Sequence, residues 1–156
     1  RLSRAGIQLV WQTGKAYHPL AQKTAAPFAA AGIRVLEFIT RMDHAYAVAD
    51  AVVSRAGAIS VSELSLTGKP SILVPSPNVA EDHQTRNAMA LVNHHAALLV
   101  TDKEARTKLV DTAIALMADE SGRKRLSSGI SSLALRNSAE AIANEVIRLA
   151  GPRKHA

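Results

Sequence analysis

Three polar side chains near the middle of the chain have the types and spacing of a sugar- or nucleotide-binding site. Glu63 lies about one and a half turns into a predicted helix, and its carboxylate can accept two hydrogen bonds from a sugar diol. Gln84 and Asn87 are three residues apart, so they share one face of a second predicted helix. Two amides at a helix start suit hydroxyl and acetamido groups, because each amide offers donors and an acceptor. The alternatives are a solvated Glu63, and a cap at Asp82 followed by a polar outer face.

Two loops that follow predicted strands add backbone groups to this chemistry. The segment 54–58 consists mainly of small residues and leads into a predicted helix. Free N–H groups at a helix start favour an anion such as phosphate, and small residues let the backbone approach it. A simple turn at Gly57 is the alternative. The segment 38–42 combines loop backbone with apolar side chains that could hold a flat base, and core packing at a strand end is its alternative.

Several common catalytic and cofactor sites are excluded or disfavoured. The chain has no cysteine, which excludes disulfides, thiolate catalysis and the usual structural zinc sites. Its histidines form no metal-binding pattern with carboxylates at helical spacing, so we expect no metal and no other cofactor. His83 could act as a general base, but a solvated loop histidine fits the pattern better. Neither a Gly-x-Gly-x-x-Gly run nor a Gly-Lys-Ser/Thr phosphate loop is present.

The elements that must position these residues alternate between short strands and longer helices. Apolar runs bounded by glycine and proline predict strands at 7–12, 33–38, 50–54, 70–74 and 97–100. Helical patterns are predicted over 15–30, 41–48, 58–67 and 84–94, and from Asp102 onward, with the last helix at about 138–149. Pro19 and Pro27 weaken the first of these helices, and Asn137-Ser138 is expected to cap the last.

This alternation predicts one α/β domain, with a Rossmann-like parallel sheet flanked by helices and a helical C-terminus. In such sheets ligands bind beyond the carboxyl ends of the strands, where all three loops lie. The 156 residues are enough for a single globular domain with a real core. No apolar run approaches the roughly 18 residues of a membrane-spanning helix, and no secretory signal opens the chain, so we expect a soluble cytoplasmic domain.

Charge and aromatic content bear on the class of partner. Nineteen Lys and Arg residues against thirteen Asp and Glu give a net charge of +6, which suits an anionic surface or a phosphorylated ligand. The basic residues are mostly scattered, so a solvated basic surface is the simpler interpretation. Aromatic residues make up only 3% of the chain, too few for the stacking platforms of single-strand binders. We therefore expect no nucleic-acid partner.

Between residues 46 and 88 the chain carries short motifs in a fixed order. They are Tyr46-Ala47-Val48-Ala49-Asp50-Ala51-Val52-Val53, Ser54-Arg55-Ala56-Gly57-Ala58, Ser60, Ser62-Glu63, Gly68-Lys69-Pro70, Leu73-Val74-Pro75 and Asp82-His83-Gln84-Thr85-Arg86-Asn87-Ala88. Together they resemble the C-terminal half of the bacterial peptidoglycan glycosyltransferases that add N-acetylglucosamine to undecaprenyl-diphosphate-linked muramyl pentapeptide. The resemblance extends from about Ile7 to Leu149.

The resemblance implies a fold, an activity and a domain assignment. The family has the two-domain GT-B fold, and its C-terminal domain binds UDP-N-acetylglucosamine. Residues 1–156 are accordingly expected to form the donor-binding domain of an inverting hexosyltransferase that converts lipid I to lipid II. The domain would be incomplete at its N-terminus, with the acceptor domain and its base outside this chain. This chain alone is not expected to turn over.

Residue roles follow from the same resemblance. The uracil would meet the backbone around Phe38 and Ile39, with Met42 nearby. Glu63 would accept the ribose hydroxyls. Ala58, Ile59 and Ser60 would lie along the diphosphate and the sugar. Gln84 and Asn87 would hold the N-acetylglucosamine. The family's Gly-Gly-Ser-Gln-Gly-Ala loop is not found and would precede residue 1, while Arg41 stands where an acidic or small polar residue is expected.

The resemblance also implies partners, and alternatives remain beside it. The expected partners are UDP-N-acetylglucosamine, the undecaprenyl-linked acceptor bound through the absent N-terminal domain, and the cytoplasmic face of the inner membrane. One alternative is another GT-B enzyme that uses a UDP-sugar, such as a glycolipid glycosyltransferase or an epimerase. A second is a donor-binding subunit similar to that of the dolichyl-diphosphate N-acetylglucosamine transferase, and a third is a non-enzymatic α/β interaction domain.

Overall fold

Five short parallel strands and seven helices alternate along the chain in a computed structural model that describes residues 1–78 and 82–151. The strands are β1 (Leu9–Gln12), β2 (Ile33–Leu36), β3 (Val52–Ser54), β4 (Ser71–Leu73) and β5 (Leu98–Leu99). The helices are α1 (His18–Ala25), α2 (Met42–Val48), α3 (Ala58–Thr67), α4 (His83–Val92), α5 (Asp102–Ala118), α6 (Glu120–Ser132) and α7 (Ser138–Ala150). Two 3₁₀ segments, Ser3–Ala5 and Ala26–Ala31, complete the described elements.

The strands form two separate parallel ladders rather than one sheet. In the first, β1 pairs with β2 from Leu9 opposite Ile33 to Gln12 opposite Leu36. In the second, the order is β3-β4-β5, with β4 in the centre. The predicted α/β class with parallel strands and flanking helices is confirmed, but the expected single sheet is divided into the ladders β1-β2 and β3-β4-β5.

The observed strands are shorter than the apolar runs that predicted them. The run 33–38 keeps strand register with β1 only from Ile33 to Leu36, although Gly14 N still donates to Glu37 O at 3.0 Å beyond the ladder. The helix expected over 15–30 also divides. Pro19 fits the first turn of α1, where an N–H has no acceptor, whereas Pro27 cannot continue the α-helical ladder and lies in the 3₁₀ segment.

The buried core lies almost entirely around the second ladder. The central strand β4 is buried along its whole length, as its apolar composition predicts for a strand covered on both faces. One cluster packs α3, α4 and α6 against it through Leu64, Leu73 and Ile130. A second cluster places Ile72 against α5 and α6. Around β1 and β2, by contrast, Ala21 is the one hydrophobic residue of the described range 1–50 that is fully buried.

Local chemistry explains where α3 and α6 begin and end. Helix α3 matches its predicted bounds and ends at Gly68, whose left-handed backbone (φ 63°) suits glycine. Ser127 Oγ of α6 donates to Gly68 O at 2.7 Å, so the end of α3 is also held by a neighbouring helix. At the start of α6, the Asp119 carboxylate accepts from Gly122 N at 2.8 Å, which is a side-chain N-cap.

The last helix differs from expectation at its start. Asn137 does precede α7, but its backbone is left-handed (φ 63°) and its side chain makes no capping bond. Side-chain capping needs an extended residue at this position, and here Ser138 Oγ instead donates back to Leu135 O at 3.0 Å. The expected cap is therefore wrong. Along α7 the stripe of Ile142, Val146 and Leu149 is exposed. None of the described helices is both long and apolar enough to cross a bilayer.

Candidate functional site

The side chain of Gln84 joins the loops that follow β3 and β4. Its Oε1 accepts from Ser76 N at 2.9 Å and from Ala56 N at 3.2 Å. Both partners are N–H donors, so the amide oxygen must face the loops and the amide nitrogen must face away from them. Gln84 is partly buried in the first turn of α4. Its Nε2 group is left as a donor at the carboxyl end of the sheet.

Asn87 makes the complementary contact from the same face of α4. Its Nδ2 donates to Ala56 O at 3.0 Å, so the buried Ala56 has both backbone groups bound by side chains of one helix. Asn87 thereby keeps its Oδ1 as an acceptor, one turn from the Nε2 donor of Gln84. The prediction that Gln84 and Asn87 share a face is confirmed. Asp82, offered as an alternative cap, makes no side-chain capping bond.

Arg55 is a residue at this site that the sequence analysis did not select. Its guanidinium donates to Val74 O at 3.2 Å, to Pro75 O at 3.3 Å and to the Asp102 carboxylate at 2.5 Å. It therefore connects the end of β3 to the end of β4 and the start of α5. Arg55 is the one charged residue of the segment 54–58. Nothing in the sequence indicated that its partner would be Asp102, 47 residues further along the chain.

Glu63 is held by a tyrosine from the preceding helix. The Tyr46 hydroxyl donates to Glu63 Oε2 at 2.9 Å, and both side chains are partly buried. Burial, and then the hydrogen bond and charge of Glu63, raise the pKa of Tyr46 to about 12. Tyr46 consequently remains a neutral donor at neutral pH. The alternative of a simply solvated Glu63 does not fit this arrangement, and the sequence singled out Tyr46 only as part of a motif.

The start of α3 lies beside these residues and presents backbone rather than side chains. Gly57 is the extended residue before the helix, and no side chain caps it. Ala58 and Ile59 are exposed, the latter by 77%, and Ser60 is partly buried. In the described residues, the N–H groups of these three have no acceptor, as is usual for a first turn. An exposed and uncapped helix start is chemically suited to an anion.

The loop expected to hold a base lies at the end of β2. Phe38 is 68% exposed, while Ile39 and Met42 are partly buried. The Ile39 N–H donates to Gln12 Oε1 at 2.8 Å, so this donor is already used within the chain. Arg41 pairs with the Asp43 carboxylate at 2.9 Å, and the guanidinium lowers the pKa of that carboxyl. The unexpected charge at Arg41 is thus balanced by a carboxylate in the first turn of α2.

A group of cationic side chains lies at the other end of β4, away from the candidate site. There a cavity of about 310 Å³ is bordered by Lys69, Arg123 and Lys124. Lys69 donates to the carbonyls of Ala47 and Ala49, and Arg123 donates to carbonyls at the end of α5. These two cations therefore satisfy backbone groups at helix ends. Within 1–78 and 82–151 the structure shows no group of three or more His, Asp or Glu side chains that could hold a metal ion.

Comparison with known proteins shows the family to which the chain is related. The glycosyltransferase family 28 C-terminal domain matches residues 1–145. A curated relative from Bacteroides thetaiotaomicron is 54% identical over 147 residues, covering 92% of this chain and 39% of the relative. One from Porphyromonas gingivalis strain W83 is 50% identical over 154 residues, covering 99% and 41%. Both are named UDP-N-acetylglucosamine–N-acetylmuramyl-(pentapeptide) pyrophosphoryl-undecaprenol N-acetylglucosamine transferase.

A solved structure supports the same assignment. The crystal structure of MurG from Acinetobacter baumannii superposes with a TM-score of 0.81 at 25% identity, covering 94% of this chain and 44% of that one. The fold is that of an α/β C-terminal domain of a glycosyltransferase. The chain belongs to glycosyltransferase family 28, through the C-terminal domain of that family. This confirms the resemblance drawn from the motifs. The chain spans about two fifths of the length of the curated relatives it matches.

Proposed function

We propose that residues 1–156 form the UDP-N-acetylglucosamine-binding domain of an inverting glycosyltransferase. The complete enzyme would transfer N-acetylglucosamine to undecaprenyl-diphosphate-muramyl pentapeptide, the reaction printed in the names of the relatives. The observation that carries the proposal is that Gln84 joins the loops at the carboxyl ends of β3 and β4, next to the uncapped start of α3, the helix that also carries Glu63. Ligands of α/β proteins bind at that end.

Each group of the donor has a chemically suited partner in this proposal. Glu63 accepts the ribose hydroxyls, since its carboxylate has lone pairs beyond the one used by Tyr46. The backbone at Ala58, Ile59 and Ser60 lies along the diphosphate, where the helix dipole favours negative charge. At the sugar, Gln84 offers its Nε2 donor and Asn87 its Oδ1 acceptor. Their other atoms already hold Ala56, so these two amides are pre-oriented.

The loop after β2 supplies the base subsite in this proposal. Uracil would lie against Phe38 and Met42 and contact the backbone around Ile39. Because the Ile39 N–H is taken by Gln12, we expect the base to use the other backbone groups of this loop. An exposed aromatic ring such as Phe38 gains more from stacking than from remaining in water.

The proposed chemistry divides between this chain and the remainder of the enzyme. The acceptor hydroxyl attacks the anomeric carbon, the bond from that carbon to the diphosphate oxygen breaks, and UDP leaves with inversion. The start of α3 stabilises the departing diphosphate, and the bound amides keep the sugar in line. We assign acceptor binding, removal of the hydroxyl proton and docking on the cytoplasmic face of the inner membrane to an N-terminal acceptor domain.

Calorimetric titration with UDP-N-acetylglucosamine tests the donor assignment. The unchanged chain is expected to bind, and Glu63→Ala to bind at least about tenfold more weakly, which corresponds to about 1.4 kcal/mol. Glu140→Ala, a carboxylate exposed on α7, is the matched control and should bind like the unchanged chain. Titration with UDP-glucose separates recognition of the acetamido group from recognition of the nucleotide.

Two results would contradict the proposal at different points. Absence of binding by the unchanged chain would refute donor binding by residues 1–156. Binding that Glu63→Ala leaves unaltered would instead refute the ribose contact, while the assignment of the domain would stand.

A further inference from the structure

We propose that Tyr46 is a positioning residue that orients the Glu63 carboxylate and thereby sets selectivity for ribose over 2′-deoxyribose in the bound nucleotide. This inference rests on the proposed function. Its starting observation is the 2.9 Å hydrogen bond from the Tyr46 hydroxyl to Glu63 Oε2, which joins α2 to α3. Neither residue belongs to the loops that tie Gln84 and Asn87 to the sheet.

Tyr46 is well suited to fix a second residue because it is itself fixed. Its ring is partly buried and packs against the core cluster that contains Leu64, the neighbour of Glu63. A rigid aromatic ring loses little conformational freedom when its hydroxyl makes a bond, whereas a free glutamate samples many rotamers. The hydrogen bond therefore restricts the Glu63 carboxylate before any ligand arrives.

Tyr46 is also the right kind of donor for this task. No Lys, Arg or His of the described chain forms an ion pair with Glu63, and Tyr46 is the side-chain donor to its carboxylate. A cation would compete for the lone pairs and would reduce the attraction of the carboxylate for hydroxyl groups. A neutral phenol occupies Oε2 from one side, and the pKa of Tyr46 near 12 keeps it protonated at neutral pH. Oε1 and the second lone pair of Oε2 are left for a diol.

The position of Tyr46 along α2 links this role to the base subsite. Met42, at the first position of α2, and Tyr46 are four residues apart and so share one face of the helix. Met42 belongs to the loop proposed to hold uracil. One short helix consequently carries a residue beside the base and the residue that orients the ribose carboxylate. A shift of α2 would alter both contacts together.

The test compares UDP with 2′-deoxy-UDP as ligands of the unchanged chain, Tyr46→Phe and Glu63→Ala. The unchanged chain is expected to prefer UDP, because Glu63 can bind both ribose hydroxyls. Tyr46→Phe keeps the ring and removes only the hydroxyl, so the preference should fall roughly two- to tenfold, because the carboxylate can still bind the ribose and loses only its prior orientation. Binding of 2′-deoxy-UDP should change little. Tyr17→Phe, the other tyrosine of the chain, is the matched control.

A double-mutant cycle separates positioning from general destabilisation. In a Glu63→Ala background, Tyr46→Phe should no longer affect UDP affinity, since there is no carboxylate to orient. If Tyr46→Phe weakens UDP and 2′-deoxy-UDP by the same factor, Tyr46 is merely structural and the inference is overturned. If UDP fails to bind the unchanged chain, the proposed function is refuted, and the inference with it.

Discussion

Gln84 braces the fold through one atom of its amide and, in the proposed site, offers the other atom to the ligand. Its amide oxygen is consumed by two backbone N–H groups, and its amide nitrogen is directed away from them. Asn87 instead binds the loop through its amide nitrogen, which donates to Ala56 O. The two residues therefore expose one donor and one acceptor whose directions are determined by Ala56, a buried residue of the loop after β3. Such fixed groups bind a hydroxyl without a further cost of ordering.

Two substitutions of Gln84 should separate these roles. Gln84→Leu removes the acceptor for Ala56 N and Ser76 N, so we expect a loss of about 1–3 kcal/mol in the free energy of unfolding. Gln84→Glu keeps two acceptor oxygens but no donor, so it should retain more of that stability while weakening UDP-N-acetylglucosamine more than UDP. Chemical denaturation and calorimetric titration provide the two measurements. Equal stability of Gln84→Leu and the unchanged chain would contradict the bracing role.

At the scale of elements, the site depends on where α3 and α4 begin relative to the strands before them. Arg55, three residues before α3, ties the loop between β3 and α3 to the carbonyls after β4 and to the first residue of α5. The other end of α3 is fixed by α6, through Ser127 and Gly68. Helix α3 is thus held at both ends by contacts with other elements, which keeps Glu63 and the uncapped helix start in one arrangement.

Gly68→Ala should destabilise the chain by more than a left-handed backbone alone would require. The conformation at φ 63° costs a non-glycine residue about 1–2 kcal/mol, and the new Cβ would lie 2.5 Å from Ser131 Oγ. Gly14→Ala is the control, since Gly14 has φ 71° but open space around it. Adding Ser131→Ala should recover the part of the loss that comes from the steric contact. Thermal unfolding of the three variants provides the measurement. Equal losses of stability in Gly68→Ala and Gly14→Ala would contradict the steric contribution of Ser131.

On the scale of the whole molecule, the division into two ladders distributes stability unevenly. The strands β3, β4 and β5 and the helices α3 to α6 enclose nearly all of the buried side chains. In β1 three of the four residues are exposed, and in β2 half-buried and exposed residues alternate. Gln12, at the end of β1, nevertheless positions Ile39 in the proposed base subsite. The base and the sugar would therefore contact parts of the molecule with different packing.

Hydrogen exchange should reveal this difference directly. Amides of β1 and β2 are expected to exchange faster than those of β4, because opening the first ladder exposes little apolar surface. If UDP binds as proposed, the loop after β2 should gain protection when UDP is added. Mass spectrometry of exchanged peptides over 1–40 and 70–100 provides the measurement. Equal protection of both ladders would show that they unfold as one unit.

Much of this protein could be predicted from local sequence. The bounds of α3, the buried character of β4 and the shared face of Gln84 and Asn87 all follow from periodicity, glycine and apolar runs, which act over a few residues. The motifs between residues 46 and 88 were specific enough to indicate the family, and the family match confirms them. These properties are carried by the order of residue types along the chain.

What only the tertiary structure decided is how side chains distant in sequence meet. The bonds from Tyr46 to Glu63 and from Arg55 to Asp102 span 17 and 47 residues, and no periodicity encodes such pairs. The lengths of the strands depended on their partners, and the division into two ladders depended on which edges lie close enough to exchange hydrogen bonds. The sequence determined which chemical groups are present, whereas packing decided which of their atoms remain free to bind.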